Sequence, residues 1–142
     1  MKKIGLLMVG FLVLAQADFK RGDNNLTVID TDTKLEWQDS YKNNIVHNSS
    51  SFNEAIAYCE DLELDDKNDW RLPNINELKS IVVDTQYAPS IDEKFKYTIN
   101  GYYLSSTARR RSTSYKYMIN FTDNSTNFTS GGTHIRCVRD AD

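Results

Sequence analysis

Apolar and polar positions alternate in blocks along this chain, and the first block stands apart. Lys2 and Lys3 open it, Ile4 to Leu14 form a short apolar run, and Ala15-Gln16-Ala17 is a small-residue cleavage site. The run is shorter than the roughly 20 residues a bilayer-crossing helix needs, and Asp18, Lys20 and Arg21 end it abruptly. Residues 1–17 are therefore expected to be a signal peptide, with membrane contact only before cleavage. Residues 18–142 are expected to be one exported domain, periplasmic or extracellular. After a polar segment from Asp18 to Asn25, Leu26 to Ile29 and Leu35 to Trp37 read as short strands around the turn Asp30 to Thr33. A polar loop follows to Ser50.

Ser51 to Leu64 carries the clearest helical period. Phe52, Ala55, Ile56, Cys59 and Leu62 recur every three or four residues, and Ser51 with Glu54 forms an S-x-x-E capping box. Glu63 to Asp69 reads as an acidic loop. Pro73 then pushes Leu72 towards an extended conformation, and Asn74 with Glu77 caps a second helix whose apolar face is Ile75, Leu78, Ile81 and Val82. From Tyr102 onward the pattern turns to strands: Tyr102 to Ser105, Lys116 to Phe121, and His134 to Val138. Asp123-Asn124 and Gly131-Gly132 supply turns. In the middle strand Tyr115, Tyr117, Ile119 and Phe121 share a face. In the last, Ile135, Cys137 and Arg139 oppose His134, Arg136 and Val138. The fold class expected is α+β.

Removing the leader leaves 125 residues, which suits a single domain burying roughly 65–70% of its unfolded surface. It also takes the formal charge from −3 to −5, a field unsuited to nucleic acid. The two cysteines, Cys59 and Cys137, allow one intrachain bridge, closing a 78-residue loop, if a bridge forms at all; two separate buried thiols are the alternative. Export favours the bridge.

Three islands carry a family resemblance. They are Val28-x-Asp30-x-x-Thr33-x-Leu35-x-Trp37-Gln38-Asp39; Ala57-Tyr58-Cys59-x-x-Leu62 with Asp69-Trp70-Arg71-Leu72-Pro73-Asn74; and Arg136-Cys137-Val138-Arg139. The chain resembles the Lcl C-terminal domain-like family of exported bacterial proteins, named after the tail of a collagen-like adhesin. The resemblance implies a C-type-lectin-like fold, with two helices packed on a twisted antiparallel sheet and the two cysteines paired. For the adhesin it implies binding of sulfated polysaccharides, often by trimers. Leu104 stands where the family usually has Trp in a Tyr-Trp-Ser-Ser run.

Candidate chemistry is sparse. Arg109-Arg110-Arg111 with Lys116 is one concentrated positive patch, ringed by hydroxyls from Ser105 to Ser114, and guanidinium forks match sulfate and carboxylate geometry. A solvated, mobile loop is the plainer alternative. Asp65, Asp66, Asn68 and Asp69 form an oxygen-rich cluster that calcium favours, although EF-hand spacing and its glycine are absent; no other cofactor is expected. His47 and His134 fall in no zinc-ligand or nucleophile motif. Asp23-Asn24-Asn25-Leu26-Thr27 fits an extended bacterial N-glycosylation sequon, with a polar turn as the alternative. The expected function is a secreted, non-enzymatic module binding a glycan or other anionic polymer. A structural or protein-interaction domain of the envelope, oligomeric or not, is the alternative.

Overall fold

The chain opens with a meander and returns to it at its end. β1 (Phe19–Arg21), β2 (Thr27–Asp30) and β3 (Leu35–Gln38) pair antiparallel in order, and β7 (Val138–Asp140) closes the sheet against β3. This is a computed structural model that describes Gly10 and residues 18–142. The expected leader lies, apart from Gly10, outside the described residues. No described helix is long and apolar enough to cross a membrane.

A second sheet follows in the order β4 (Tyr102–Arg109), β5 (Ser112–Asn120) and β6 (Thr126–Thr129), all antiparallel. The architecture is α+β, with two sheets where the sequence suggested one. They stay separate because β7 joins β3 and because other chain covers the outer edge of β4. Leu104 N donates to the His134 carbonyl at 2.9 Å, and Ser106 N to the Pro73 carbonyl at 2.8 Å.

Two helices bridge these layers. α1 (Phe52–Glu60) starts at Ser51, whose hydroxyl accepts the Glu54 amide at 3.1 Å. The return half of the expected capping box goes elsewhere: the Glu54 carboxylate accepts from Ser50 N at 3.2 Å and contacts His47 Nε2 at 2.7 Å. α1 is also shorter than its periodicity suggested. Asp65 and Asp66 both adopt left-handed backbone and fold the chain into a tight turn that pairs Leu64 with Lys67. α2 (Ile75–Ser80) carries the full box, Asn74 accepting the Glu77 amide at 2.8 Å and Glu77 accepting the Asn74 amide at 3.0 Å. Ile81 and Val82 lie just beyond its end.

The main core gathers Val28, Trp37, Leu78, Ile81, Tyr103, Ile119, Phe121 and Val138 between the sheets and α2. A second cluster surrounds the disulfide Cys59–Cys137, whose Cα atoms are 5.6 Å apart, with Ala55, Trp70, Leu72, Leu104 and Ile135. The bridge the sequence allowed is therefore formed, tying α1 to the segment before β7. Residues 134–137 are not a regular strand. Ile135, Arg136, Cys137 and Val138 are all buried, because this stretch runs between the two clusters and its expected two-faced alternation has no solvent side. β1 and β6 carry too little apolar pattern to be read from sequence. β1 buries only Phe19, edge-on to Phe95 at 5.7 Å.

Candidate functional site

The arginine run sits on a hairpin. β4 and β5 extend to Arg109 and from Ser112, which pair across a two-residue turn, Arg110-Arg111. Register from Tyr102–Asn120 onward carries the arginines to the end of a ribbon, with an irregularity near Ala108 that adds local twist. All three arginines are exposed, and among the described residues none makes a salt bridge or a side-chain hydrogen bond.

Arg109 is nevertheless held in place. Its guanidinium carbon lies 4.0 Å from the centroid of the Phe128 ring, and Phe128 meets Tyr115 edge-on at 5.7 Å. Phe128 pairs with Tyr117 across β5 and β6, so Phe128, Tyr117 and, by alternation, Tyr115 share a face. Stacking engages the flat face of a guanidinium and leaves its in-plane N–H donors free for a bidentate acceptor. Phe128 and Tyr115 escaped the sequence reading as site residues. The polar neighbours Thr126, Asn127 and Thr129 hid the short strand that places Phe128.

Lys116 does not belong with them. It occupies the opposite face of β5, its Nζ 4.4 Å from the centroid of Phe52 at the start of α1, and it donates to the Thr113 carbonyl. The sequence patch is thus split by the pleat: three arginines at the tip, and the lysine behind them.

The remaining four arginines of the chain are all neutralised. Arg136, fully buried, donates to Asp39 at 3.0 Å, to the Gln38 and Tyr97 carbonyls at 2.6 Å, and to Thr98 Oγ1 at 3.1 Å. Asp39 also receives Arg21 and the amides of Lys96 and Tyr97, at 2.8 and 3.2 Å. Arg139 faces Glu36 across β3 and β7 and bonds it at 2.6 Å; it also bonds Asp69 at 2.6 Å and Asp142 at 3.0 Å. Arg71 forks onto Glu77 at 2.6 and 2.8 Å. The hydrogen bond from Arg139 holds the Asp69 carboxyl below its usual range. Burial pushes Glu77 upward, but Arg71 and the Asn74 amide together outweigh that and the net direction is down. Burial also drives the Tyr41 hydroxyl well above a normal phenol.

The acidic cluster is dispersed by these pairings. Asp69 faces Arg139, Asp65 accepts from Asn24, and Asp66 shares the turn with Asp65. Among the described residues no group of three or more His, Cys, Asp or Glu side chains could hold a metal ion. A cleft of about 520 Å³ opens beside this turn, on the face of the first sheet turned away from Val28 and Trp37. Lys20, Lys34, Asp65 and Lys67 are among its walls, and Lys67 already pairs with Asp142. Of the histidines, His47 stacks on Tyr58 at 4.0 Å beside Glu54, and His134 Nδ1 lies 3.3 Å from the Tyr102 carbonyl.

The residues that build this frame are those of the sequence islands. Trp37-Gln38-Asp39 and Arg136-Cys137-Val138-Arg139 interlock, and Gln38 Oε1 accepts the Cys137 amide at 3.2 Å. A family model, the Lcl C-terminal domain, matches residues 26–139. The chain belongs to that family. No curated protein matches it. The span matched to the Lcl C-terminal domain contains both the interlocked frame and the arginine tip, the tip lying outside the islands.

Proposed function

We propose that this Lcl C-terminal domain is an exported, non-enzymatic module of C-type-lectin-like fold that binds an anionic polymer, a glycan foremost, at the tip of the β4–β5 hairpin. One observation carries the reading. Arg21, Arg71, Arg136 and Arg139 each have a carboxylate partner, whereas Arg109, Arg110 and Arg111 have none among the described residues. Adjacent cations without counter-ions repel one another, and an acceptor carrying sulfate or carboxylate groups relieves that repulsion. The aromatic pair beneath Arg109 adds flat apolar surface of the kind a sugar ring covers.

The lectin-like reading draws support from the return of β7 to the N-terminal sheet and from α1 being stapled to the chain just before it. The disulfide supports export, since such bridges persist in oxidising compartments. The binder reading draws support from the nucleophiles: both cysteines are bonded, and each histidine is engaged by neighbours.

Heparin-agarose chromatography of the native protein and the R109A/R110A/R111A variant tests the proposal. The native protein is expected to need more salt for elution than the variant, and K116A to elute near the native position. Coincident elution of native and triple variant overturns the assignment.

A further inference from the structure

We infer that Asn25 is an acceptor for N-linked glycosylation, taking an oligosaccharide from a polyprenyl-diphosphate donor through a membrane oligosaccharyltransferase. The chain holds five Asn-x-Ser/Thr triplets, at Asn25, Asn48, Asn120, Asn124 and Asn127. Only Asn25 has a carboxylate two positions before it, Asp23; the others have Val46, Met118, Thr122 and Ser125 there. A transferase that reads both the carboxylate and the downstream hydroxyl selects that site alone.

The fold presents the same residue. Asn25 is exposed in the turn joining β1 to β2, with left-handed backbone (φ 62°), its amide hydrogen on the Gly22 carbonyl at 2.9 Å. Gly22 is needed there, because a Cβ would sit 2.3 Å from Thr27 Oγ1. Asn25 Oδ1 accepts from Arg21 Nε at 2.9 Å and from Lys96 Nζ at 3.3 Å, while Nδ2 donates to nothing among the described residues. That nitrogen is the one a glycan would occupy, so the folded domain accommodates the modification without losing a contact. Among the competing sites Asn124 commits its Nδ2 to Asp84 at 2.8 Å, whereas Asn48, Asn120 and Asn127 leave Nδ2 without a partner among the described residues, so the Asp23 carboxylate rather than exposure sets Asn25 apart from them.

Thr27 sets the order of events. Its hydroxyl is buried and donates to Glu36 Oε1 at 2.8 Å, so a transferase can read it only before β2 settles against β3. In the transfer the Asn25 Nδ2–C1 bond forms and the C1–O bond to the diphosphate breaks. The amide gives up one proton to a base of the transferase, and polyprenyl diphosphate leaves.

The inference rests on the export reading above, and one preparation separates the two. The protein purified from its native cells is measured intact, unreduced, and after trypsin, which releases residues 22–34 with Asn25 as the single triplet. The expected result is a chain starting at Asp18, bridged, with an oligosaccharide on Asn25 and the peptides of the other four triplets bare. Native-host variants D23N and N25Q are expected to yield the 22–34 peptide unmodified; D23N leaves the turn asparagine in place and guards against a folding defect. A bare 22–34 peptide on a chain whose leader is gone and whose cysteines are paired overturns the site while leaving export standing. An uncut leader overturns both, and an unchanged glycan on D23N overturns the role of the carboxylate.

Discussion

Arg136 and Arg110 carry the same guanidinium in opposite surroundings. Arg136 lies without solvent exposure among Asp39, two carbonyls and Thr98, its plane 4.7 Å from the Phe95 ring. Arg110 stands at a hairpin turn with no partner among the described residues. A buried charge has to be paired or it destabilises the fold. Arg136 is paired through its two terminal nitrogens while its Nε has no partner among the described residues, so the groups that meet those nitrogens are structural. An exposed charge carries no such obligation, and its neighbours at the tip are free to serve something else. Within one chain, the paired arginines mark the frame, and those without a partner among the described residues mark the surface proposed above for binding.

The sharpest way to break this contrast is to remove the carboxylate beneath Arg136. D39A leaves a buried guanidinium unpaired and releases Arg21 and two backbone amides, and should cost about 3–5 kcal/mol by urea unfolding. If it unfolds within about 1 kcal/mol of the native chain, the frame does not depend on this pair. The C59S/C137S variant frees the residue next to Arg136 and is expected to lose about 2–4 kcal/mol, read in the same assay.

Acid probes the outer ion pairs. The Asp69 carboxyl is held down by its hydrogen bond from Arg139, Asp142 by hydrogen bonds from Lys67 and Arg139, and Glu77 by Arg71 and the Asn74 amide against its burial. Groups with depressed folded pKa stabilise fully above their unfolded values, near pH 4, and lose that contribution as pH falls further. The thermal midpoint should therefore stay level from pH 7 to about pH 5 and drop below about pH 4; a level midpoint down to pH 3 would show these pairs to be idle. At the tip the effects shrink. F128L removes the ring under Arg109 and should lower stability by about 0.5–1 kcal/mol. The R109A/R110A/R111A variant should move it by no more than about 0.5 kcal/mol, while shifting heparin elution. Loss of stability in that variant would place the tip in the frame after all.

Much of the frame was legible because its signals are local. The caps at Ser51 and Asn74, the paired cysteines and the α+β class follow from periodicity, short-range hydrogen bonding and compartment chemistry. What escaped depends on partners far along the chain. Arg136 is read only as sharing a strand face with His134 and Val138 until Asp39 and Tyr97 come beside it. β1 and β6 are strands because a neighbour supplies their pattern, not because their own residues alternate. The arginine run was visible from the first reading, but its separation from Lys116 and its seat on Phe128 needed the pleat of β5 and the pairing of β6.

Asp39 has one more effect, on residues 81–101, which contain neither helix nor strand. By accepting the amides of Lys96 and Tyr97 while Arg136 grips the Tyr97 carbonyl, it pins the path of this excursion through main-chain atoms. Ile91 and Phe95 add a second anchorage by burying in the main core. Composition can therefore drift between these anchors while the course of the chain through space stays constant.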